Sequence, residues 1–316
     1  MIELQNIEKY YGNKLALDQV SFSIDTGSIV GLLGKNGAGK STLMNIIAGY
    51  MPATKGTVTI DGMAADGSAR EVKKKIGYLP EKPPLYEAMS VREYLRYAAR
   101  IKGIESGKVR KETDLMIEKT GLKAAENRLI RNLSKGYQQR VGIAQAMTGE
   151  PMLLILDEPT AGLDPAQVVE VRALLREYGR DHIVIISSHI LSEIAEICDR
   201  ILILNEGKLM KDCRMSELSA SDKAHIFIRI DRPKEIFEKL IDTRLSDCVC
   251  EYRGMGEQGC SDWEIKAQSA KEDIRSRVFG IIKENNMELL QMFPARDEIE
   301  DVFLDLTAVN AKKEEG

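Results

Sequence analysis

One stretch of the chain, residues 34–42, has the residue types and spacing of a phosphate-binding loop. It reads G-K-N-G-A-G-K-S-T, so Gly34, Gly39, Lys40 and Ser41 occupy the fixed positions of the pattern G-x-x-x-x-G-K-[ST]. Glycines allow backbone N–H groups to close around phosphate oxygens, the lysine adds positive charge, and the hydroxyl can bind Mg²⁺. The stretch therefore predicts binding of a nucleotide through its phosphates.

Two adjacent carboxylates, Asp157 and Glu158, directly follow an apolar run at residues 152–156. An extended strand directs successive side chains to opposite sides. One carboxylate can therefore reach a metal ion while the other faces a nucleophilic water. His189 follows a second apolar run, at residues 183–186, where a lone histidine is more often an ordinary polar strand end than a ligand-binding group.

A third feature is the helix start at residues 133–139, which read L-S-K-G-Y-Q-Q and open an amphipathic helix that ends near Gly149. Ser134 fits the N-cap position of this helix. A helix start that carries a hydroxyl and an exposed glycine, Gly136, is also a candidate anion site. Taken alone, a simple cap is the commoner explanation for such a serine.

Alternating strands and helices are predicted to position these residues. The apolar run at residues 29–33 indicates a buried strand before the loop, and residues 41–48 repeat apolar positions at helical spacing up to Gly49. The loop thus precedes a helix N-terminus, whose dipole favours an anion. Residues 2–33 are expected to form antiparallel strands that lead into the loop. A helical insertion at about 85–150, with a capping box at Ser90 and Glu93, interrupts the alternation.

The last third of the chain has the pattern of a separate module. Residues 216–222 are expected to be a connector, and residues 224–293 follow the order strand, helix, strand, strand, helix, strand of a ferredoxin-like fold. A last helix is expected at residues 299–309. All five cysteines are interpreted as free thiols, as is usual in a cytosolic chain. Cys248, Cys250 and Cys260 cluster in this module, but no histidine lies among them, which argues against a metal site.

The overall composition argues against two classes of protein. The net charge of −4 lacks the basic excess of a typical nucleic-acid binder. No apolar run approaches the ~18 residues of a membrane-spanning helix. The first residues show no basic segment followed by an apolar core, so no signal peptide is predicted and a cytoplasmic location is expected.

Together, these segments resemble the nucleotide-binding subunit of ABC transporters. The resemblance covers residues 1 to about 215 and rests on the ordered set of Tyr11, residues 34–42, 133–139, 153–158 and 162–164, and His189. Segment 133–139 makes the resemblance far more specific than a phosphate loop alone. Within the family the chain is most similar to ATPases of ABC-2-type exporters, including gliding-motility and multidrug or antibiotic export groups, on residues 76–81, 133–137 and 299–304.

The resemblance implies a P-loop α/β fold for residues 1–218, with a mixed sheet core, an antiparallel β subdomain and the helical insertion, followed by an α+β module at 219–316. The implied cofactors are ATP and Mg²⁺. The residues implied to contact ATP are Tyr11, Gly34, Asn36, Gly37, Ala38, Gly39, Lys40, Ser41, Thr42, Ser134, Gly136 and Gln138. Those implied to hold Mg²⁺ are Ser41, Glu81 and Asp157, and the implied catalytic residues are Glu158 and His189.

The implied roles match the chemistry of the side chains. Tyr11 would stack on adenine, Glu158 would polarise the attacking water, and His189 would hold the γ-phosphate or that water as a donor. Ser134 and Gly136 would face the nucleotide of a second chain, since in this family the signature helix completes the site across a dimer interface. The implied partners are a second ATPase chain, forming a homodimer, and an ABC-2-type permease on the inner face of the membrane, with no nucleic acid.

One position departs from the family pattern, because Glu81 stands where a glutamine is usual. An amide both donates and accepts hydrogen bonds, whereas a carboxylate only accepts them and adds negative charge near Mg²⁺. We interpret Glu81 as keeping the same metal-sensing and coupling position. Asp164, in the loop after the two carboxylates, is expected to tune the dimer interface.

Two other functions use the same phosphate loop. A soluble ABC ATPase that acts on ribosomes or DNA usually has two cassettes in one chain with a basic linker, or long coiled coils. This chain has one set of motifs, no sustained heptads and a slightly acidic balance. A kinase would leave segment 133–139 unexplained. Transport is therefore favoured, with export as the expected direction and the substrate left open.

Overall fold

The chain divides into two units in the computed structural model, Met1–Asp212 and Cys213–Gly316. The structure describes residues 1–65, 70–219, 225–255, 259–267 and 273–294. Within these ranges, no helix is both long enough and apolar enough to cross a membrane.

A four-stranded antiparallel sheet begins the first unit. Its strands are β1 (Ile2–Tyr11), β2 (Lys14–Ile24), β4 (Lys55–Ile60) and β5 (Met63–Ala64), in the order β2-β1-β4-β5. Along β2, Val20, Phe22 and Ile24 are buried while the residues between them are exposed. This alternation is expected of an antiparallel sheet with one face on the core and one in solvent.

A six-stranded sheet contains the strands that lead to the predicted site. Its strands are β3 (Ser28–Leu33), β6 (Ile76–Leu79), β7 (Leu153–Asp157), β8 (Ile183–Ser188), β9 (Arg200–Asn205) and β10 (Lys208–Arg214), in the order β10-β9-β3-β8-β7-β6. Strands β9, β3, β8, β7 and β6 run parallel. A two-residue turn, Glu206-Gly207, joins β9 to β10, which requires an antiparallel pair. The sheet is therefore mixed.

The expectation of antiparallel strands throughout residues 2–33 is confirmed for β1 and β2 and is wrong for β3. β3 pairs in parallel with β8 and β9, and each residue from Ile29 to Leu33 is buried. A parallel strand covered on both faces has a continuous apolar run instead of an alternating one. The run at residues 29–33 therefore belongs to the six-stranded sheet.

Helices connect these strands. They are α1 (Lys40–Ile47), α2 (Arg70–Lys74), α3 (Val91–Lys102), α4 (Val109–Lys119), α5 (Lys135–Met147), α6 (Pro165–Gly179) and α7 (Leu191–Ala195), with 3₁₀ turns at Lys123–Ala125 and Ile130–Asn132. The predicted capping box at the start of α3 is confirmed. The Ser90 side chain accepts a hydrogen bond from the Glu93 N–H, and the Glu93 carboxylate accepts one from the Ser90 N–H. Helices α3 to α5 lie within the predicted insertion.

The second unit follows the predicted order of elements. After α8 (Met215–Ser219) come β11 (His225–Ile230), α9 (Lys234–Arg244), β12 (Cys248–Met255), β13 (Ser261–Ala267), α10 (Arg275–Glu284) and β14 (Leu289–Pro294). The four strands form an antiparallel sheet in the order β12-β13-β11-β14. Its core includes Phe237 of α9 and Trp263 of β13, whose rings lie 5.3 Å apart.

One predicted connector is partly helical. Residues 216–222 are expected from their serine content to form a connector, whereas α8 extends over Met215–Ser219. Glu217 lies in the first turn of this helix, where the helix dipole favours a negative charge. The predicted helix at residues 299–309 lies outside the described residues.

Candidate functional site

A cavity of about 720 Å³ lies where the carboxyl ends of parallel strands meet. Residues after β3, β6, β7 and β8 reach it, as expected for a ligand site at this edge of an α/β sheet. The predicted residues that line it are Tyr11, Asn36, Gly37, Gly39, Lys40, Ser41, Thr42, Glu81, Asp157, Glu158 and His189. The predicted residues that do not line it are Gly34, Ala38, Ser134, Gly136 and Gln138.

The loop after β3 holds the Lys40 ammonium group in a fixed position. Lys40 is 8% exposed, and its Nζ donates hydrogen bonds to the carbonyls of Gly34, at 2.6 Å, and Lys35, at 3.3 Å. Burial lowers the pKa of Lys40, while the carboxylates of Glu158, Asp157 and Glu81 act in the opposite direction. The ammonium group thus lies at the cavity wall among backbone carbonyls and acidic groups, where it can neutralise phosphate.

The same loop packs closely against β2, which explains the glycine before Lys40. Gly39 has a φ of 106°, a region that residues with a Cβ rarely adopt. A Cβ at this position would lie 2.8 Å from Leu17 Cδ2 and 2.9 Å from the Ala16 carbonyl. Helix α1 begins at the next residue and its first three residues line the cavity, so a helix N-terminus, which favours anions, lies at the cavity wall.

The two carboxylates at the end of β7 differ in environment. Asp157 is 3% exposed, and its Oδ1 accepts a hydrogen bond of 2.5 Å from Ser187 Oγ of β8. Glu158 follows the strand with a φ of 49°, which is uncommon for a residue other than glycine. His189 Nδ1 lies 2.9 Å from Glu158 Oε1. Residues predicted separately for metal binding and for catalysis therefore meet at one place.

Helix α5 is connected to this carboxylate pair through Gln139. The Gln139 Nε2 donates to the carbonyls of Glu158, at 3.3 Å, and Pro159, at 3.2 Å. Gln139 is 5% exposed, so this link is shielded from water. The segment 133–139 therefore contacts the backbone of residues 158–159 of its own chain through one buried amide.

The predicted residues in the first turn of α5 do not line the cavity described above. Gly136, expected from the sequence to be exposed, is buried, because the Gln167 side chain packs against it. Ser134 is exposed, and its side chain accepts a hydrogen bond from the Tyr137 N–H, which confirms the predicted N-cap. Gln138 Nε2 donates to the Ile130 carbonyl at 3.1 Å. A Cβ on Gly136 would lie 2.2 Å from Gln167 Oε1, so a larger residue would displace the Gln167 side chain.

That Gln167 side chain belongs to the cap of α6. Asp164 is the N-cap of this helix, its side chain accepts from the Gln167 N–H at 2.9 Å, and the two residues form a capping box. The structure therefore gives Asp164 a structural role at a helix start. Its expected influence on a dimer interface stays a prediction.

Tyr11 lies at the end of β1 and is 48% exposed. Its hydroxyl donates to Met51 Sδ at 3.1 Å, and Lys9 Nζ lies 5.6 Å from the centre of its ring. An exposed ring at the cavity wall is suited to stacking on a nucleobase, since every base offers a π face.

Sequence reasoning missed several residues that line the cavity. They are Lys14, Leu15, Ala16, Lys35, Ala161, Glu206 and Gly207. In the Glu206-Gly207 turn, the Gly207 carbonyl accepts a hydrogen bond from the Asp18 N–H at 2.9 Å. The Gly207 N–H donates one to the Ala38 carbonyl at 3.0 Å. Gly207 after an apolar run could have predicted the hairpin turn, but not its position beside the phosphate loop.

The oxygen donors in the cavity fit a hard divalent cation. The Ser41 hydroxyl and the Glu81 and Asp157 carboxylates are the ligand types that Mg²⁺ prefers. In the described part of the chain, no group of three or more His, Cys, Asp or Glu side chains is placed to hold a metal by itself. A cation here would therefore take further ligands from phosphates and water, as is usual for Mg²⁺ bound with a nucleotide.

Comparison with known proteins gives concordant results. The family model described as ABC transporter matches residues 17–161. The ABC transporter ATP-binding protein YhcH of Bacillus subtilis (strain 168) is 33% identical over 310 residues, 97% of this chain and 96% of that protein. The bacitracin transport ATP-binding protein BcrA of Bacillus licheniformis is 30% identical over 97% of both chains. The dimeric post-hydrolysis structure of the ATP-binding cassette MJ0796, bound to ADP and Pi, has a TM-score of 0.63 at 26% identity, covering 68% of this chain and 99% of that chain.

Proposed function

Because the chain belongs to the ABC transporter family as an ATP-binding subunit and ATPase, we propose that it hydrolyses ATP in the cavity beside β3, β7 and β8 and thereby drives a separate membrane permease. The observation that supports this site most strongly is that Lys40, the Asp157-Glu158 pair and His189 come from three separate parts of the sequence and line one cavity. Their arrangement provides a phosphate-binding cation, acidic groups and an imidazole within one space.

The predicted residues that line the cavity have distinct roles in this proposal. The N–H groups of residues 34–42 and the Lys40 ammonium bind the phosphates, and Tyr11 stacks on the base. Glu158 accepts a proton from the attacking water, since its carboxylate lies at the cavity wall. His189, 2.9 Å from Glu158 Oε1, holds the terminal phosphate or the water.

Mg²⁺, when bound, would neutralise charge on the phosphates and favour departure of ADP. Ser41 and Asp157 would hold it, with Glu81 as a third oxygen donor. The Asp157 carboxylate is buried and fixed by Ser187, as expected for a metal ligand that must keep its orientation.

Two copies of the chain complete the sites in this proposal. Ser134, Gly136 and Gln138 lie outside the chain's own cavity, and Ser134 is exposed at the start of α5, where a helix N-terminus can bind an anion. Two of the solved structures that resemble this chain are described as dimeric ATP-binding cassettes. The second chain would place its Ser134 and Gly136 against the terminal phosphate.

The names of the relatives support a proposal on the permease partner and on the direction of transport. BcrA is described as a bacitracin transport protein, SrtF as a lantibiotic transport protein, and LnrL as a linearmycin resistance protein. We propose an ABC-2-type permease, export as the direction, and a position on the inner face of the membrane. Among the residues that the structure describes, no observation favours action on ribosomes or DNA.

Co-purification tests the transport function directly. The full chain carrying Glu158→Gln, isolated from native membranes with ATP and Mg²⁺, should retain a polytopic membrane protein that the Lys40→Ala chain does not retain. Mass spectrometry of the eluates identifies the partner. An eluate that contains ribosomal proteins and no permease would replace transport by the soluble ATPase function.

Residues 219–316, which make up most of the second unit, are proposed to form a ferredoxin-like module that supports dimerisation or regulates it. Its strand order β12-β13-β11-β14 with two helices supports this assignment. BcrA and YhcH align over 97% of this chain, which includes most of this unit. Removing residues 220–316 should weaken ATP-dependent dimerisation by about tenfold, equal to about 1.4 kcal/mol of contact free energy.

Analytical ultracentrifugation with ATP and Mg²⁺ measures this change. Removal of residues 310–316 alone is the matched control and should leave dimerisation unchanged. Unchanged dimerisation, ATPase rate and transport after removal of residues 220–316 would show that the module is a passive appendage.

A further inference from the structure

Ser187 contacts both carboxylate residues at the end of β7. It lies on β8 directly opposite Asp157 in the parallel register and is 0% exposed. Its hydroxyl donates to Asp157 Oδ1 at 2.5 Å and accepts from the Glu158 N–H at 3.0 Å. A hydroxyl has one donor and two acceptor positions, so a single side chain serves both neighbours.

The contact of Ser187 with Asp157 fixes the side chain of Asp157. A carboxylate at a strand end can rotate between several positions, and a buried donor at one oxygen selects one of them. Hydrogen bonds from such partners orient metal-binding carboxylates and determine their affinity for the ion.

The contact of Ser187 with Glu158 fixes the backbone of Glu158. With a φ of 49°, Glu158 has a conformation that persists only where surrounding contacts hold it. Its N–H is held by Ser187, and its carbonyl accepts from Gln139 Nε2 at 3.3 Å and from the Ala161 N–H at 3.1 Å. This conformation sets the direction of the Glu158 carboxylate at the cavity.

We propose that Ser187 is a positioning residue for ATP hydrolysis, which orients Asp157 toward the cation and holds the Glu158 backbone in the conformation that presents its carboxylate to water. The inference rests on the proposed functions of Asp157 and Glu158. Nothing in segment 183–188 taken alone distinguishes Ser187 from Ser188, so the assignment depends on the register of β7 and β8.

Ser188, the next residue, provides a matched contrast. It is 1% exposed, and its hydroxyl donates to Glu193 Oε2 at 3.1 Å and accepts from the Ile190 N–H at 3.0 Å. Thr160 Oγ1 donates to the same Glu193 oxygen at 2.7 Å. On substitution by alanine, Ser188 therefore loses two hydrogen bonds, as Ser187 does, without losing a contact to Asp157 or Glu158.

The experiment compares full-length Ser187→Ala and Ser188→Ala with the wild-type chain. Three quantities are measured for each chain. The first is the affinity for a fluorescent ATP analogue in EDTA, which is the metal-free affinity. The second is the Mg²⁺ concentration that raises this affinity half-way to its maximum, and the third is kcat for ATP hydrolysis. Thermal unfolding is followed in parallel. Ser187→Cys, which keeps the size of the side chain and a weak donor, replaces Ser187→Ala if the alanine variant does not fold.

For Ser187→Ala we expect the half-maximal Mg²⁺ concentration to rise by roughly 10- to 100-fold and kcat to fall by a similar factor, with metal-free nucleotide affinity unchanged. Ser187→Cys should lie between this variant and wild type. Ser188→Ala should lower the Tm comparably and keep the wild-type Mg²⁺ requirement. Wild-type Mg²⁺ requirement and kcat in the tested Ser187 variant would overturn the proposal. A loss of metal-free nucleotide affinity as large as the rise in the Mg²⁺ requirement would also overturn it, because such a loss would indicate a general structural role.

The wild-type chain and Glu158→Gln are assayed together with these variants. A wild-type chain that does not hydrolyse ATP with Mg²⁺, or a Glu158→Gln chain that matches it, would overturn the proposed function itself. The Mg²⁺ dependence of nucleotide affinity does not require hydrolysis, so it reports separately on Ser187.

Discussion

Replacing Glu158 by glutamine should slow ATP hydrolysis by about 100- to 10,000-fold, the usual contribution of a general base, while ATP still binds. The amide has nearly the same size as the carboxylate but cannot accept the proton of the attacking water. Phosphate binding by Lys40 and the loop at residues 34–42 does not depend on this proton transfer. Glu158 lines the cavity with His189 2.9 Å away, so the effect should appear in the chemical step.

Single-turnover hydrolysis of radiolabelled ATP with Mg²⁺ measures that step apart from product release. Glu206→Gln is the matched control, because Glu206 lines the same cavity but lies on the β9–β10 turn. It should keep a rate near that of the wild-type chain. Wild-type hydrolysis by Glu158→Gln would exclude Glu158 as the base.

Replacing Lys40 by alanine should weaken ATP binding by roughly 10- to 150-fold, which corresponds to the loss of about 1.5–3 kcal/mol from hydrogen bonds to a charged group. The Lys40 ammonium lies at the cavity wall, held by the Gly34 and Lys35 carbonyls. Without it, the phosphates lose a positive charge in a cavity that also contains the carboxylates of Glu81, Asp157 and Glu158. Repulsion then adds to the lost attraction.

Isothermal titration with ATP and Mg²⁺ measures this affinity. Lys108→Ala, which removes an exposed lysine paired with Glu105, is the control for a general change in charge and should bind ATP as the wild type does. The Tm of Lys40→Ala shows whether the loop still folds. Unchanged ATP affinity in a folded Lys40→Ala chain would contradict the assignment of this loop.

Much of the fold could be predicted from the sequence because its signals are local. The capping box at Ser90, the N-cap at Ser134 and the order of elements in the second unit each depend on neighbouring residues. The sheet to which β3 belongs could not be assigned in this way, since pairing with β8 and β9 is decided by residues more than 150 positions away. The short helix α8 is not predicted, because the serine-rich composition of residues 216–222 indicates a connector.

The same distinction applies to the candidate site, where some residues have a local sequence pattern and others do not. The loop at residues 34–42 and the Asp157-Glu158 pair have sequence patterns of their own, and the structure brings them into one cavity. Ser187 and Gln139 have no such pattern, because their contacts to the two carboxylate residues arise from strand register and helix packing. Side chains that hold functional groups in place are therefore visible only in three dimensions.

The claim that two chains share each ATP site is central to this account, and the solution mass of the Glu158→Gln chain tests it most directly. Light scattering should give about the 35.3 kDa of one chain without nucleotide and about twice that mass with ATP and Mg²⁺. Adding Ser134→Arg, which places a bulky side chain at the exposed start of α5, should keep the single-chain mass while ATP binding is retained. A Glu158→Gln chain that binds ATP with Mg²⁺ and keeps the mass of one chain would contradict the shared site.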